Sequence, residues 1–412
     1  MPDARPPALP SVTSVTPTER LFTLDVLRGI ALLGILIVNI HEFRAPELYA
    51  AIIGIEVWQG RWDADSIIIF LTQLLCSGRW APVYSFLFGL GLQLMCTRFI
   101  SRQISPVTTI SRRLGVLSVF GLLHAAFFWY GDVLLVYSLL GFLVLLVHQV
   151  SARTTLLLAI LLMLGLGAVY LGLGALSLLG EMIAPGSSQF DESDWIYRRY
   201  ETNLRVYAEG SWGELFRYRW IDNLLFWGLS IFWAPLALAC MLIGAWTVKA
   251  GYHDRLSGSY RYRQYLLPVC MAALAVAAYT ALDMMGVVSN MAVEFLIVLP
   301  ASVIMLPVLS VGYISYITWW VEQTRHVRCW QWLAATGRMP LTNYLAQSFL
   351  ASALFYGYGL GWFGATGAFS AACIAITLYT AQVAFSTWWM KHHHYGPLEQ
   401  VWRILSYGKF TP

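Results

Sequence analysis

The chain has 412 residues, of which 58% are hydrophobic and only 12% charged, and its mean hydropathy is +0.63. That balance excludes a soluble enzyme, and the apolar runs recur along the whole length, leaving no room for a separate soluble domain. The formal net charge of +4 comes from arginines between apolar runs, which suits anionic lipid and not nucleic acid.

Residues 1–19 are rich in Pro and Thr and read as a disordered tail, not as a cleavable signal peptide. The first span, about 22–42, is long enough to cross a bilayer yet carries Asp25, Arg28 and Asn39. At about 100° per residue these three share one helix face, and Arg28 and Asn39 stand roughly 16 Å apart along the axis. A charge in a span costs roughly 3 kcal/mol on insertion scales, so such a stripe faces protein or a wet cavity. Asp25 and Arg28 also have the spacing of a local ion pair.

Residues 66–77 are too short to span and read as interfacial or re-entrant. The second span, about 80–98, contains Gly89 and Gly91, small residues that admit a close neighbour. The third, about 113–130, holds His124, and Gly131-Asp132 breaks the run before a fourth at about 132–149. A fifth follows at about 154–180. Residues 181–222 form an extracytoplasmic amphipathic segment dense in Arg, Glu, Trp and Tyr. Spans at about 223–248, 264–284, 292–320, 340–358 and 368–390 complete the list, with Pro300 and Pro307 predicting a kink in the eighth. The fold class is therefore all-α, a polytopic bundle of about ten membrane helices. The N-terminal half is 20–180 and the C-terminal half 223–412.

An even number of spans puts both termini on one side. Arg98, Arg102, Arg112, Arg113, Lys249, Arg338, Lys391 and Arg403 then gather there, which makes that side cytoplasmic. The six cysteines are scattered without metal-ligand spacing, and no metal site is expected.

Three constellations could carry chemistry. His124 and Asp132 lie near the outer end, where Asn39 also ends, and a histidine oriented by a carboxylate is a general base for acyl transfer. The plainer alternatives are an interhelical hydrogen bond for His124 and a helix cap for Asp132. Arg28, Arg112, Arg113, Arg338 and Arg403 could clamp a phosphate-bearing ligand at the inner side, or serve only as anchors to that side. Asn343 and Gln347 share a face of the ninth span, where polar side chains line a site or join two helices.

Four motifs carry a resemblance: LDVLRGIALLGILIVNI, RRLGVLSVFGLLHAAFFWYGDVLLVYSLLG, GRMPLTNYLAQS and GPLEQVWRILSYG. They resemble the YeiB-type bacterial membrane proteins, whose C-terminal half defines domain of unknown function 418. That family is in turn similar to transmembrane acyltransferases of the heparan-α-glucosaminide N-acetyltransferase type. Leu24, Asp25, Arg28, Gly29, Val38 and Asn39 match their first-helix pattern. Those enzymes carry a histidine a few turns after the asparagine; here Glu47 and Tyr49 occupy that region, and His124 is the substitute candidate.

The resemblance implies transfer of an acyl group from cytoplasmic acyl-CoA to an extracytoplasmic acceptor. Catalytic residues would be His124, Asp132 and Asn39. Asp25, Arg28, Arg112, Arg113, Arg338, Asn343, Gln347 and Arg403 would hold the substrates. The expected partners are the lipid bilayer and small-molecule acyl donor and acceptor, with a homo-oligomer left open. The expected location is the bacterial inner membrane, with both termini cytoplasmic. The alternative is a small-solute transporter built on the same buried charges.

Overall fold

The computed structural model describes residues 22–53, 63–183, 195–252, 271, 273–274, 278–279 and 294–407. The tail 1–19 and most of 264–284 lie outside the described residues. Among the described residues every regular element is helical. The first half contains α1 (Phe22–Arg44), α2 (Glu47–Ile53), α3 (Ala64–Leu75), α4 (Trp80–Ser101), α5 (Pro106–Phe127), α6 (Leu134–Leu146) and α7 (Ala152–Ile183). The second contains α8 (Trp195–Glu209), α9 (Trp212–Leu229), α10 (Ala234–Lys249), α11 (Leu299–Gln323), α12 (Arg328–Gly337), α13 (Pro340–Phe355), α14 (Ala368–His392) and α15 (Pro397–Tyr407).

Local chemistry sets the boundaries. Asp63 caps α3 by accepting the Ser66 N–H at 2.9 Å, and Ser211 and Glu214 form a reciprocal capping box at the start of α9. Pro106 and Pro340 occupy the first turns of α5 and α13, where a missing N–H costs nothing. Between α3 and α4 the buried Arg79 guanidinium donates to the Gln73 and Ser77 carbonyls, satisfying the orphan acceptors of that turn. The helix runs on through Pro307, and a wider turn at Glu294–Val298 precedes Pro300.

Six stretches are long and apolar enough to cross a membrane, or seven if the bent pair α9 and α10 counts as one span. Ten is not reached among the described residues. The 13-residue α6 is apolar but short. The 16-residue α13 carries Asn343, Gln347, Ser348 and Ser352. It nevertheless runs alongside α1: Gly337, just before it, lies on the Asp25 backbone, and the Tyr356 ring, just after it, is tilted against Phe43 with centroids 5.9 Å apart. The outward face of α7 exposes Leu161, Leu164 and Leu176, as a lipid-facing helix must.

The helix that leads into the sixth apolar run begins earlier than the hydropathy of that run suggests. α9 starts at Trp212, so the division drawn at 222 falls inside a helix, and the pair bends by 58° at 230–233. The charged residues that made 181–222 look like surface are partly buried. The Asp222 carboxylate is fully buried and accepts from Tyr49 (2.5 Å), Arg199 (2.8 Å), Tyr207 (2.7 Å) and Asn203 (3.3 Å). That hub ties α2, α8 and α9 into a cap. Beneath it Phe43, Trp129, Tyr130, Tyr207, Tyr356 and Phe363 form an aromatic core.

Two helix crossings rest on glycines. A Cβ at Gly337 would collide with the Asp25 carbonyl, and one at Gly29 with the Leu333 carbonyl, so α1 and α12 touch backbone to backbone. Gly89 meets Met241 and Gly244 meets Phe86 in the same way, joining α4 to α10.

Candidate functional site

One face of α1 lines a cavity of about 490 Å³. Its contributions are Leu24, Asp25, Arg28, Leu32, Ile35, Val38 and Asn39, the three-and-four spacing of a helical stripe. The stripe is roughly 22 Å long at 1.5 Å per residue. α4 packs directly beside α1, with Trp80 against Gly34, and lines the adjoining wall; Gly91 faces the Arg28 guanidinium, 3.5 Å from where a Cβ would stand. Asp25, Arg28 and Asn39 thus share the face expected of them, and Arg28 Nη1 donates to Asp25 Oδ1 at 2.9 Å.

The cavity is polarised. Arg98, Arg102, Arg113, Arg338 and Arg403 line it at the end where α1 begins, and Arg28 stands one turn further in. Against these six arginines stand two carboxylates, Asp25 and Glu399, among the described lining residues. The rest of the bore is mainly apolar and aromatic, with Tyr84, Phe88, Leu134 and Tyr137, and it extends to Asn39, Cys76 and Trp80.

α15 braces the basic mouth. Trp402 stacks on the Arg113 guanidinium at 4.0 Å, and the Tyr407 hydroxyl accepts from Arg113 Nη1 at 3.0 Å. Arg403 stacks on Tyr395 at 4.1 Å. Glu399 anchors α15 to the start of α13: it accepts from the Leu341 N–H (2.7 Å), the Thr342 N–H (3.0 Å) and the Thr342 hydroxyl (2.6 Å). A carboxylate is well placed at that helix N-terminus. Burial still pushes the Glu399 carboxyl above the ordinary glutamate range, with the Thr342 donors pulling the other way. The motifs GRMPLTNYLAQS and GPLEQVWRILSYG are therefore one structural unit.

His124 and Asp132 meet, but not in the cavity wall. His124 Nδ1 lies 2.8 Å from Asp132 Oδ1, with both side chains fully buried. The second Asp132 oxygen accepts the Leu135 N–H at 2.8 Å, so the carboxylate also caps α6. Asn39 lines the cavity, whereas His124 and Asp132 do not.

Arg112 is exposed on α5 and stands outside the cavity. Asn343 and Gln347 join α13 to α14 instead of lining the bore: Asn343 donates to Ser386 at 3.1 Å and Gln347 to Gln382 at 3.0 Å, while Gln382 returns a bond to the Asn343 carbonyl at 2.9 Å. Interhelical bonds of this kind contribute about 0.6–2 kcal/mol each. Sequence reasoning passed over Arg98, Arg102, Tyr344, Glu399, Trp402 and Tyr407. The signal for the last three was the amphipathic pattern of PLEQVWRILSY, which places Glu399, Trp402, Arg403 and Tyr407 toward the bundle.

A helical bundle with several apolar spans, a lipid-facing flank and an internal cavity basic at one end defines a polytopic membrane protein with an amphiphilic internal site. The sequence pattern of the family described as "Protein of unknown function (DUF418)" matches residues 247–409. The chain is 30% identical to uncharacterized protein YxaH of Bacillus subtilis (strain 168), covering 97% of this chain and 98% of that protein. It is also 30% identical to uncharacterized protein YeiB of Escherichia coli (strain K12), over 94% and 96% of the two chains. An uncharacterized 39.9 kDa protein of Bacillus acidopullulyticus is 26% identical over 96% of each. This chain belongs to the YeiB-type DUF418 family. No solved structure matches it.

Proposed function

We propose that this protein is a membrane acyltransferase of the bacterial inner membrane, with both termini cytoplasmic, that draws an acyl group from cytoplasmic acyl-CoA and delivers it to an extracytoplasmic acceptor. The observation that carries this reading is the polarised cavity: a cluster of arginines at one end continues into an apolar bore along α1. Arginine clusters suit the phosphates of a nucleotide-bearing thiol ester. The bore suits its acyl or pantetheine arm.

In this scheme Arg28, Arg113, Arg338 and Arg403 hold the donor, and Asp25 keeps Arg28 oriented. Arg112 serves the membrane surface. Asn39 stands at the far end of the bore, where an amide N–H can stabilise the oxygen of a tetrahedral intermediate. The acceptor hydroxyl or amine adds to the thioester carbonyl, and its proton ends on Nε2 of His124, in the pair behind the cavity wall. The carbon–sulfur bond then breaks, and the proton passes to the departing thiolate, releasing free CoA. Asp132 holds the His124 proton on Nδ1, which leaves Nε2 as the base.

The test uses purified protein in nanodiscs with a palmitoyl-CoA probe. Saturable binding, weakened at least about tenfold by Arg113→Gln with Arg403→Gln, is the expected outcome. Acceptor-dependent release of CoA thiol from a membrane extract should accompany it. No binding at millimolar palmitoyl-CoA refutes the reading, and solute flux into proteoliposomes without covalent change would put a transporter in its place.

A further inference from the structure

His124 poses a geometric problem for any chemistry assigned to it. Its side chain is fully buried, and Nε2 has no hydrogen-bond partner among the described residues. With Nδ1 committed to Asp132, Nε2 is an acceptor facing no donor. Three aromatic rings surround it: Tyr344 at 5.2 Å between centroids, Phe128 at 6.3 Å and Trp129 at 6.4 Å. Of these three only Tyr344 lines the cavity.

Tyr344 is only half matched. It is 6% exposed; the Val133 backbone N–H faces its oxygen, while its own O–H donates to no described residue. A buried phenol usually donates to a partner. An unused O–H donor and an unused nitrogen acceptor therefore sit on neighbouring rings 5.2 Å apart, not hydrogen-bonded to each other, one on the cavity and the other behind it. Tyr344 enters the site from α13, whose first turn is held by Glu399. The same unit that braces the basic mouth thus also places the ring that separates His124 from the bore.

We propose that Tyr344 is the residue through which the cavity reaches the His124–Asp132 pair, taking a hydrogen bond from the acceptor hydroxyl or amine and relaying its proton. The inference rests on the acyltransferase reading. As the acceptor oxygen or nitrogen bonds to the thioester carbon, its proton moves to the Tyr344 oxygen and the proton of Tyr344 moves to His124 Nε2. When the carbon–sulfur bond breaks, the relay runs backwards and the thiolate receives the proton. No group is oxidised or reduced, and Tyr344, His124 and Asp132 return to their starting states.

Tyr344→Phe keeps the ring and removes only the hydroxyl. In nanodiscs with palmitoyl-CoA and a membrane-extract acceptor, it should bind donor within about twofold of wild type and lose about 100-fold or more in kcat, the scale of a lost proton-transfer path. Fluorotyrosine at position 344 preserves shape and acidifies the phenol, so it should shift the pH profile of kcat even if the Phe variant folds poorly. An active wild type whose Phe variant stays within threefold, or whose fluorotyrosine profile does not move, overturns the role of Tyr344 alone. A wild type that binds palmitoyl-CoA without transfer overturns the acyltransferase reading and this inference with it.

Discussion

Replacing Asp222 with Asn tests whether the buried carboxylate holds the cap together. Asp222 is the only carboxylate of its hub among the described residues and lies fully buried. Its Oδ1 accepts from Tyr49 at 2.5 Å and Arg199 at 2.8 Å, its Oδ2 from Tyr207 at 2.7 Å and Asn203 at 3.3 Å. An asparagine offers one acceptor oxygen and turns an NH₂ toward two donors. Tyr207 can rotate to accept; Asn203 loses its bond. The larger loss is the charge, because the Arg199 side chain is only 10% exposed. Removing one partner of a buried pair costs about 3–5 kcal/mol, and the slight exposure of Arg199 favours the lower end, about 3. Tyr207→Phe removes a single bond to a charged group, about 1.5 kcal/mol. Asn203→Ala removes the longest one and should cost less again. Unfolding of detergent-solubilised protein followed by tryptophan fluorescence should rank the variants in that order. Asp222→Asn combined with Arg199→Met should recover part of the loss, since no stranded cation remains. An Asp222→Asn variant as stable as Tyr207→Phe would refute the reasoning.

Other outcomes follow from the same geometry. Asp25→Asn and Arg28→Gln should each destabilise the protein, and the double variant should be milder than their sum; strict additivity in a thermal-stability cycle would speak against a direct pair. Because burial raises the Glu399 pKa above 4.5, the native state keeps its proton longer than the unfolded chain. Its contribution is therefore full below pH 4.5 and declines as pH rises through the native pKa, and Glu399→Gln should flatten that part of the stability–pH curve. Gly337→Ala drives a Cβ into the Asp25 carbonyl and should cost several kcal/mol, visible as a large drop in melting midpoint. In a background without native cysteines, Ser211→Cys at the exposed start of α9 should react with an impermeant maleimide from the outside; labelling from the cytoplasm alone would invert the topology.

The α1 stripe was legible because helical periodicity is local: Asp25, Arg28 and Asn39 share a face whatever surrounds them. The His124–Asp132 contact was legible too, since a helix end and the cap of the next helix are eight residues apart. The basic mouth was legible only in part: Arg28, Arg113, Arg338 and Arg403 could be grouped by side, but the contacts that assemble them could not. Glu399 reaches Leu341 across 58 residues, and Trp402 reaches Arg113 across 289, distances over which no periodicity operates. α9 was misplaced for a different reason. Asp222 and Arg199 look like surface charges when read singly, and only their pairing makes burial tolerable. Asn343 and Gln347 show the converse: a polar face inside the membrane met another polar face on α14, not a ligand.

The glycine crossings carry one more consequence. α1 and α4 line adjoining walls of the bore, and each is also pinned to a further helix at a glycine contact, α1 on α12 and α4 on α10, where backbone meets backbone and no side chain can yield. Such a bore measures instead of adapting. A chain longer than the run from the arginines to Asn39 cannot make room by spreading the walls, so discrimination by length should be steep. Trimming Trp80, which lines the Asn39 end, should admit longer guests, while enlarging the glycines would damage the ruler without lengthening it.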